Sequence, residues 1–194
     1  SEHDNLTLHT DFYEINMMAT YFQKHMENRR AVFEVFFRKL PFGNGYAVFA
    51  GLEHIIQYIE NLNFTDDDID YLREVTDYPD NFLEYLRNFK FKGTIKSAYE
   101  GDIVFANEPI LQVEGTLCEC QLVETAILNM VNYQTLIATK ASRIRTVVGD
   151  DPLMEFGTRR AQEVSAALWG TRATIIGGFN ATSNVLAGKK FGIP

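Results

Sequence analysis

The sequence predicts an α/β fold, in which an α+β domain at residues 1–115 precedes the first part of an α/β domain at residues 116–194. Residues 1–115 combine helical patterns of apolar residues with short β-branched and apolar segments that end at turn residues. Residues 116–194 alternate helix, short strand, helix, loop and helix, an order typical of a parallel α/β unit. Because only one or two such units are present, we expect a closed α/β barrel to be incomplete in this chain.

The first elements are predicted to be one helix and two strands. Residues 11–26 place aromatic and methionine side chains on one side of a helix. Residues 30–40 and 46–51 have the Val- and Phe-rich composition of strands. The sequence PFGNG between them supplies residues that tolerate positive φ, so we predict a β-hairpin.

Three helices are predicted between residues 52 and 89. Leu and Ile recur at helical spacing over residues 52–62. Thr65 precedes three aspartates, which is typical of a helix start because the anionic side chains lie at the positive end of the helix dipole. Residues 79–89 form the third helix, with Pro79 near its first turn.

The segment from residue 93 to residue 115 is predicted to form three short strands, because its apolar pieces are separated by EGD and NEP. Thr116 and Glu119 then have the spacing of a capping box. We expect the helix that begins there to continue to about Val148, with one break near residues 132–134.

The last part of the chain is predicted to contain a short strand at residues 153–156 and a helix at residues 160–176. The loop sequence GGFNATSN follows and opens a final short helix. Lys189 and Lys190 lie near the end of that helix, and Gly192 follows it, as in many helix C-termini.

The composition excludes several classes of partner. The chain of 194 residues has a formal net charge of −8, and nucleic acids or anionic membranes require a broad basic surface. We therefore expect no nucleic-acid partner and no membrane association. The charge is uneven, however: residues 151–194 contain three acidic and five basic residues, so a local site for a small anion is compatible with the acidic total.

The cysteines and histidines do not suggest a disulfide or a metal site. Cys118 and Cys120 are too close for an ordinary disulfide, which is typical of a reducing, cytoplasmic environment. At a helix start their pKa values could be lowered, or they could serve as small packing residues. The four histidines show no metal-ligand spacing.

A pair of arginines marks the main candidate site. In EFGTRRAQ, the predicted strand ends at Phe156 and Gly157, and Arg159 and Arg160 follow. Ligands bind at the carboxyl ends of strands in parallel α/β folds, and the arginine fork suits phosphate or carboxylate. Gly157 would let the backbone approach such a ligand. Alternatively, the two arginines form ion pairs with surface acids.

Two further segments have two interpretations each. The loop GGFNATSN could present backbone N–H groups and hydroxyls to an anion, or Thr182 or Ser183 could simply cap the next helix. Tyr13 could stack on a flat ligand, or it could pack into the core from an amphipathic helix.

Together, five segments resemble the nicotinate phosphoribosyltransferase family. They are LHTDFYEINMM, AVFEVFFRKLPFGNGYAVFAGLE, VETAILNMVNYQTLIATKASRI, MEFGTRRAQ and GGFNATSNVLAG, in this order and over nearly the whole chain. The resemblance implies an α+β N-terminal domain followed by an irregular type II phosphoribosyltransferase α/β barrel, of which this chain contains the start.

The resemblance also implies a reaction. The family forms nicotinate mononucleotide and pyrophosphate from nicotinate and phosphoribosyl pyrophosphate (PRPP), with coupled ATP hydrolysis and with Mg²⁺, in the salvage route to NAD. It further implies a homodimer with active sites at the subunit interface.

Particular residues match the family's site. The resemblance implies that Phe156 and Tyr13 enclose the pyridine ring, Tyr13 reaching in from the partner subunit. Arg159 and Arg160 would hold phosphate groups of PRPP beside Gly157. Ser183 stands where relatives that use nicotinamide carry an Asp, and a Ser fits the carboxylate of nicotinate better because an Asp would repel it.

One departure from the family pattern affects the expected activity. The histidine that the family phosphorylates belongs to a Gly-Thr-x-x-His segment expected beyond Pro194, so we expect the isolated chain to be inactive. The alternatives are a non-catalytic ligand-binding or dimerising fragment, a nicotinamide- or quinolinate-specific relative, and a generic nucleotide-binding module.

Overall fold

The computed structural model describes residues 5–43 and 45–194, which fall into two compact units. The first consists of residues 5–34, 55–96 and 111–128, and the second of residues 35–54, 97–110 and 129–194. The helices are α1 Phe12–Gln23, α2 Leu52–Glu60, α3 Asp66–Val75, α4 Asp80–Arg87, α5 Leu117–Val148, α6 Val164–Ile176 and α7 Val185–Phe191. The strands are β1 Arg30–Val35, β2 Ala47–Val48, β3 Thr94–Ser97, β4 Ile103–Val104, β5 Leu111–Thr116, β6 Met154–Glu155 and β7 Ala181–Thr182. The division into domains 1–115 and 116–194 stays a prediction.

Most of the predicted helices and strands are present in the structure, with shorter bounds. In the described part of the chain, no helix combines the length and the apolar composition that a membrane span needs.

The first unit combines a three-stranded sheet, in the order β1–β5–β3, with helices. Burial alternates along the central strand β5, so that one face of it lies in the core. The rings of Phe22, Phe82 and Tyr85 lie with their centroids 5.0–6.1 Å apart and join α1 to α4.

The predicted hairpin between residues 30 and 51 is wrong. β1 pairs with β5, whereas β2 pairs antiparallel with β4, placing Ala47 opposite Val104. Phe42 and Gly43 in the connection do adopt positive φ, at 60° and 66°, while Asn44 of the predicted turn lies outside the described residues. The composition therefore predicted the two strands, but the partner of each strand is set by contacts distant in sequence.

The predicted helix start at Thr65 and the predicted capping box at Thr116 are confirmed, and Thr65 also forms a capping box. The Asp68 N–H donates to Thr65 Oγ1 over 3.2 Å, and the Thr65 N–H donates back to Asp68 Oδ2 over 2.9 Å. The pair Thr116 and Glu119 repeats this arrangement with the same two distances at the start of α5. The Glu119 carboxylate also accepts the N–H of Lys92, which explains how an acidic side chain can be buried there.

The predicted break in the long helix is wrong, because α5 runs without interruption from Leu117 to Val148. Its polar side chains bond to other segments of the second unit instead of disrupting their own helix. Thr135 Oγ1 accepts the N–H of Ala50 and donates to the same residue's carbonyl, both over 3.1 Å. Gln134 Nε2 lies 2.9 Å from His54 Nδ1. The Thr135 hydroxyl and the Gln134 amide nitrogen are thus bonded outside the helix, whereas Gln134 Oε1 is buried without a hydrogen-bond partner in the described chain.

The cysteines are packing residues, as one of the two interpretations proposed. Cys118 and Cys120 are both buried in the first unit. Burial raises the pKa of the Cys118 thiol to about 11 and raises the pKa of the Cys120 thiol as well. Both thiols are therefore protonated near neutral pH, and the interpretation as activated thiols at a helix start is wrong.

In the second unit, β6, α6 and β7 form a β-α-β segment in which the strands are parallel, with Glu155 opposite Thr182. The predicted helix start at residue 160 is four residues early, because Thr158–Arg160 forms a 3₁₀ turn and α6 begins at Val164. After β7, the chain enters α7, which ends at Gly192 in the left-handed conformation.

Helix α6 is fixed in the second unit by an ion pair. Arg172 donates to both carboxylate oxygens of Glu100, over 2.9 and 2.6 Å. Burial acts to raise the pKa of Glu100, but the hydrogen bonds and charge of Arg172 outweigh it, and the pKa is lowered overall. The same carboxylate accepts the N–H groups of Gly51 and Glu53 and so also holds the start of α2. The pair is therefore ionised near neutral pH.

Candidate functional site

The carboxyl ends of β6 and β7 form the edge at which the candidate residues of the second unit meet. Because the two strands are parallel, Phe156 and Ser183 follow them at the same edge. The Ser183 N–H donates to the backbone oxygen of Glu155 over 2.9 Å, which continues the pairing by one residue. The structure therefore brings together two site residues that are 27 positions apart in sequence.

The two arginines lie on the 3₁₀ turn directly after this edge. The N–H groups of Arg160 and Ala161 donate to the carbonyl of Gly157, over 2.9 and 3.0 Å, and close the turn. Both arginine side chains are exposed, and neither forms an ion pair with any acid in residues 5–43 or 45–194. The alternative interpretation, in which the two arginines form ion pairs with surface acids, is not observed among the described residues. Two cations are thus available to an anion.

The ring of Phe156 lies exposed before the turn, with 62% of its surface accessible. Met154, on the other side of Glu155, is exposed as well, whereas Glu155 is half-buried. An exposed aromatic ring followed by free guanidinium groups is an arrangement that can bind a flat, negatively charged molecule.

A cavity of about 550 Å³ lies beside the turn, between α5 and α6. Its lining includes Arg160, Lys140, Tyr133 and Glu155, whereas Arg159 is not among its lining residues. Burial raises the pKa of Tyr133, with the charge of Glu155 as a second cause, and its hydroxyl donates to the carbonyl of Ala166 over 2.9 Å. Lys140 is a cation that no sequence motif singled out, because it is an isolated lysine in a long helix.

The side chain of Glu155 connects β6 with the turn that follows it, with α6 and with β7. Its Oε2 accepts from the hydroxyls of Thr171, over 3.0 Å, and Thr182, over 2.7 Å. Its Oε1 accepts from the N–H of Gly157. A Cβ atom at residue 157 would lie 2.8 Å from that oxygen, so the glycine allows the turn to approach the carboxylate closely. From the sequence we expect this close approach to be made to a ligand, whereas in the structure it is made to Glu155.

Arg145 holds the opposite end of the two strands and was also missed by the sequence argument. Its guanidinium donates to the carbonyls of Gly178, Gly149 and Asp151 over 2.6–2.9 Å. It also donates to Asn180 Oδ1 over 2.5 Å, and that oxygen accepts the N–H of Leu153 over 2.9 Å. One side chain therefore joins the end of α5 to the segments that enter β6 and β7.

We expect Arg145→Ala to lower the free energy of unfolding by about 2 kcal/mol, since hydrogen bonds from charged groups contribute about 1.5–3 kcal/mol each and the exposed carbonyls regain water. Urea denaturation measures this loss. Arg143→Ala is the matched control: it removes the same charge from the same helix, where Arg143 is exposed and only lies 5.2 Å from the ring of Phe42. An equal effect of both substitutions would show that charge alone, and not the network, is responsible.

The helix that follows the loop GGFNATSN, α7, is capped by a residue other than the two predicted. Asn184, and neither Thr182 nor Ser183, caps α7, because its Oδ1 accepts the N–H of Ala187 over 3.0 Å. Thr182 Oγ1 instead accepts the N–H of Asn184 over 3.0 Å. The side chain of Ser183 is exposed and is not used as the cap. It is thus available at the edge beside Phe156.

Tyr13 lies on α1 in the first unit, and 64% of its surface is exposed. The buried positions of this helix are Glu14, Ile15, Met18 and Ala19. The alternative in which Tyr13 packs into the core is therefore wrong for this ring. Its contact with a ligand stays a prediction.

The family model and the curated relatives name the same family. The nicotinate phosphoribosyltransferase (NAPRTase) N-terminal domain model matches residues 8–132. A nicotinate phosphoribosyltransferase of Bacillus subtilis (strain 168) is 60% identical over 191 residues, which are 98% of this chain and 39% of that protein. The chain therefore spans about two fifths of that relative's length.

Two solved structures resemble the fold. Human nicotinic acid phosphoribosyltransferase superposes with a TM-score of 0.89 at 37% identity, over 95% of this chain and 38% of that one. A nicotinate-nucleotide pyrophosphorylase from Pyrococcus furiosus gives a TM-score of 0.76 at 23% identity, over 100% of this chain and 42% of that one. The second likeness concerns the fold alone.

Proposed function

The chain belongs to the nicotinate phosphoribosyltransferase family, and from this premise we propose that it is part of an enzyme that forms nicotinate mononucleotide and pyrophosphate from nicotinate and PRPP. This reaction is a salvage step toward NAD. In this proposal, the chain provides the N-terminal domain and the first strands of an irregular type II phosphoribosyltransferase barrel.

One observation supports the proposal most directly: an exposed aromatic ring precedes two arginines without ion pairs in the described chain, at the carboxyl edge of parallel strands. In the proposed complex, Phe156 stacks on the pyridine ring of nicotinate. Arg159 and Arg160 hold phosphate groups of PRPP near Gly157. Tyr13 of the partner subunit covers the other face of the ring.

Ser183 supports nicotinate over nicotinamide as the base. Its exposed hydroxyl lies at the edge that carries Phe156, since its N–H is bonded to the carbonyl of Glu155. A hydroxyl can donate to a carboxylate, whereas an aspartate at this position would repel it. Quinolinate, with two carboxylates, would require more cations close to the ring than this edge offers.

The chemistry proposed for this edge is orientation and charge stabilisation. Transfer of a ribosyl group develops positive charge at the sugar and negative charge on the leaving pyrophosphate. A stacked base is held with its ring nitrogen toward the sugar, and the arginines stabilise the leaving group. No residue of this chain is assigned a proton transfer.

We propose, as for the family, that the complete enzyme is a cytoplasmic homodimer that couples ATP hydrolysis to the reaction and uses Mg²⁺ with pyrophosphate. Within residues 5–43 and 45–194, no three His, Cys, Asp or Glu side chains lie together in a group that could hold a metal ion. We assign no residue of this chain to Mg²⁺ or to ATP.

The proposal is tested by offering the natural-length protein equal nicotinate and nicotinamide, together with PRPP, Mg²⁺ and ATP. We expect mass spectrometry to detect predominantly nicotinate mononucleotide. Predominant nicotinamide mononucleotide would contradict the argument from Ser183. If neither mononucleotide formed, a non-catalytic ligand-binding or dimerising role would be the better conclusion.

A further inference from the structure

We propose that Glu155 is the positioning residue of this site. Its carboxylate positions the arginine turn, Thr158–Arg160, and its backbone carbonyl positions Ser183. This inference rests on the proposed function, because the residues it positions are the proposed substrate contacts. It assigns Glu155 no contact with the substrate itself.

The contacts of Glu155 reach three separate segments. Its Oε1 accepts the N–H of Gly157 in the turn, and its Oε2 accepts the hydroxyls of Thr171 on α6 and Thr182 on β7. Its backbone oxygen accepts the N–H of Ser183. Each segment that carries a proposed substrate contact in the second unit is therefore bonded to this one residue or lies next to it in sequence.

A carboxylate is suited to this task because all its partners are donors. Three donors converge on two oxygens, and an ionised carboxylate has the acceptor capacity for all of them while carrying no hydrogen of its own. In the described chain, Glu155 forms no salt bridge, so its charge is met by N–H and O–H dipoles only. Bonds of this kind are short and directional and therefore fix geometry.

The side chain of Glu155 is anchored on α6, where it accepts from the hydroxyl of Thr171, a residue that is 2% exposed. The carboxylate belongs to the same cavity lining as Arg160 and Lys140. Because its hydrogen bonds are to protein groups, it orients the arginine turn from within that lining.

The test compares Glu155→Ala and Glu155→Gln with wild type and with Glu163→Ala in the natural-length protein. Glu163 is the matched control, because it is exposed, lies eight residues further along, and makes no capping hydrogen bond. Hydrogen exchange measured by mass spectrometry reports the amides of residues 156–162 and 181–187. Steady-state kinetics give KM and kcat for nicotinate, nicotinamide and PRPP.

We expect Glu155→Ala to speed exchange in both segments about tenfold and to raise KM for nicotinate and PRPP about tenfold to a hundredfold. We also expect the preference for nicotinate over nicotinamide to fall, and to fall less in Glu155→Gln than in Glu155→Ala. Gln is the milder change because one oxygen still accepts from Gly157, while its amide group donates to the two threonine hydroxyls. It also keeps the test informative if Glu155→Ala does not fold. Glu163→Ala should behave as wild type.

Two results would overturn the inference. Unchanged exchange in both variants would show that the carboxylate does not hold the turn. Faster exchange with unchanged KM values and unchanged base preference, in an active enzyme, would make Glu155 a stabilising residue only. A wild-type protein that forms no mononucleotide would overturn the proposed function instead, so the two failures can be told apart.

Discussion

Gly177→Ala should lower the free energy of unfolding by about 3 kcal/mol, at the upper end of what one added methyl group costs in a packed interior. A Cβ atom at residue 177 would lie 2.3 Å from the carbonyl oxygen of Ala138 and 2.6 Å from the Cβ of Ala141. Neither atom can move away by a side-chain rotation, so α6 and α5 would have to separate. Urea denaturation of the variant and wild type measures the difference.

The backbone at Gly177 makes this prediction specific to packing. Its φ of −74° is one that alanine adopts without strain. Gly45→Ala is the control, because nothing lies within 4 Å of a Cβ there. It should change the free energy of unfolding by less than about 0.5 kcal/mol. A similarly small effect of Gly177→Ala would mean that the two helices are further apart than in this structure.

The close contact at Gly177 illustrates what the sequence could not predict about the fold. The capping pairs at Thr65 and Thr116 were predictable, since each is complete within four residues. The continuity of α5 was not, because Thr135 is satisfied by a residue 85 positions away. The pairing of β2 with β4 likewise depends on contacts more than 50 residues apart.

The candidate site likewise contains residues that could be predicted from the sequence and residues that could not. Phe156, Arg159 and Arg160 were predictable as a group, because a strand that ends before two arginines is a local pattern. Glu155 and Arg145 were not, since their partners at Thr182 and Asn180 follow them by 27 and 35 residues. An acidic residue in a short strand and an arginine in a long helix carry no local signal of such contacts.

Arg159→Ala in the natural-length protein is expected to weaken PRPP binding about tenfold to a hundredfold. A hydrogen bond between charged groups contributes about 1.5–3 kcal/mol, and each 1.4 kcal/mol is a factor of ten. Arg159 has no acidic partner in the described chain, so no local ion pair has to be broken to bind phosphate. Isothermal titration with PRPP measures the change, and the free energy of unfolding should stay within about 0.5 kcal/mol of wild type.

Lys189→Ala is the control that distinguishes a specific contact of Arg159 with phosphate from the effect of the positive charge of residues 151–194 in general. Lys189 is an exposed cation in the last turn of α7 and does not belong to the arginine turn. Salt screens the interaction of an exposed charge that makes no direct contact with the ligand, so removing Lys189 should change PRPP affinity by less than about threefold. An Arg159→Ala effect no larger than that of Lys189→Ala would remove Arg159 from the phosphate site. A large effect confined to Arg159 would support the assignment of the turn as the anion end of the pocket, with Phe156 at its base end.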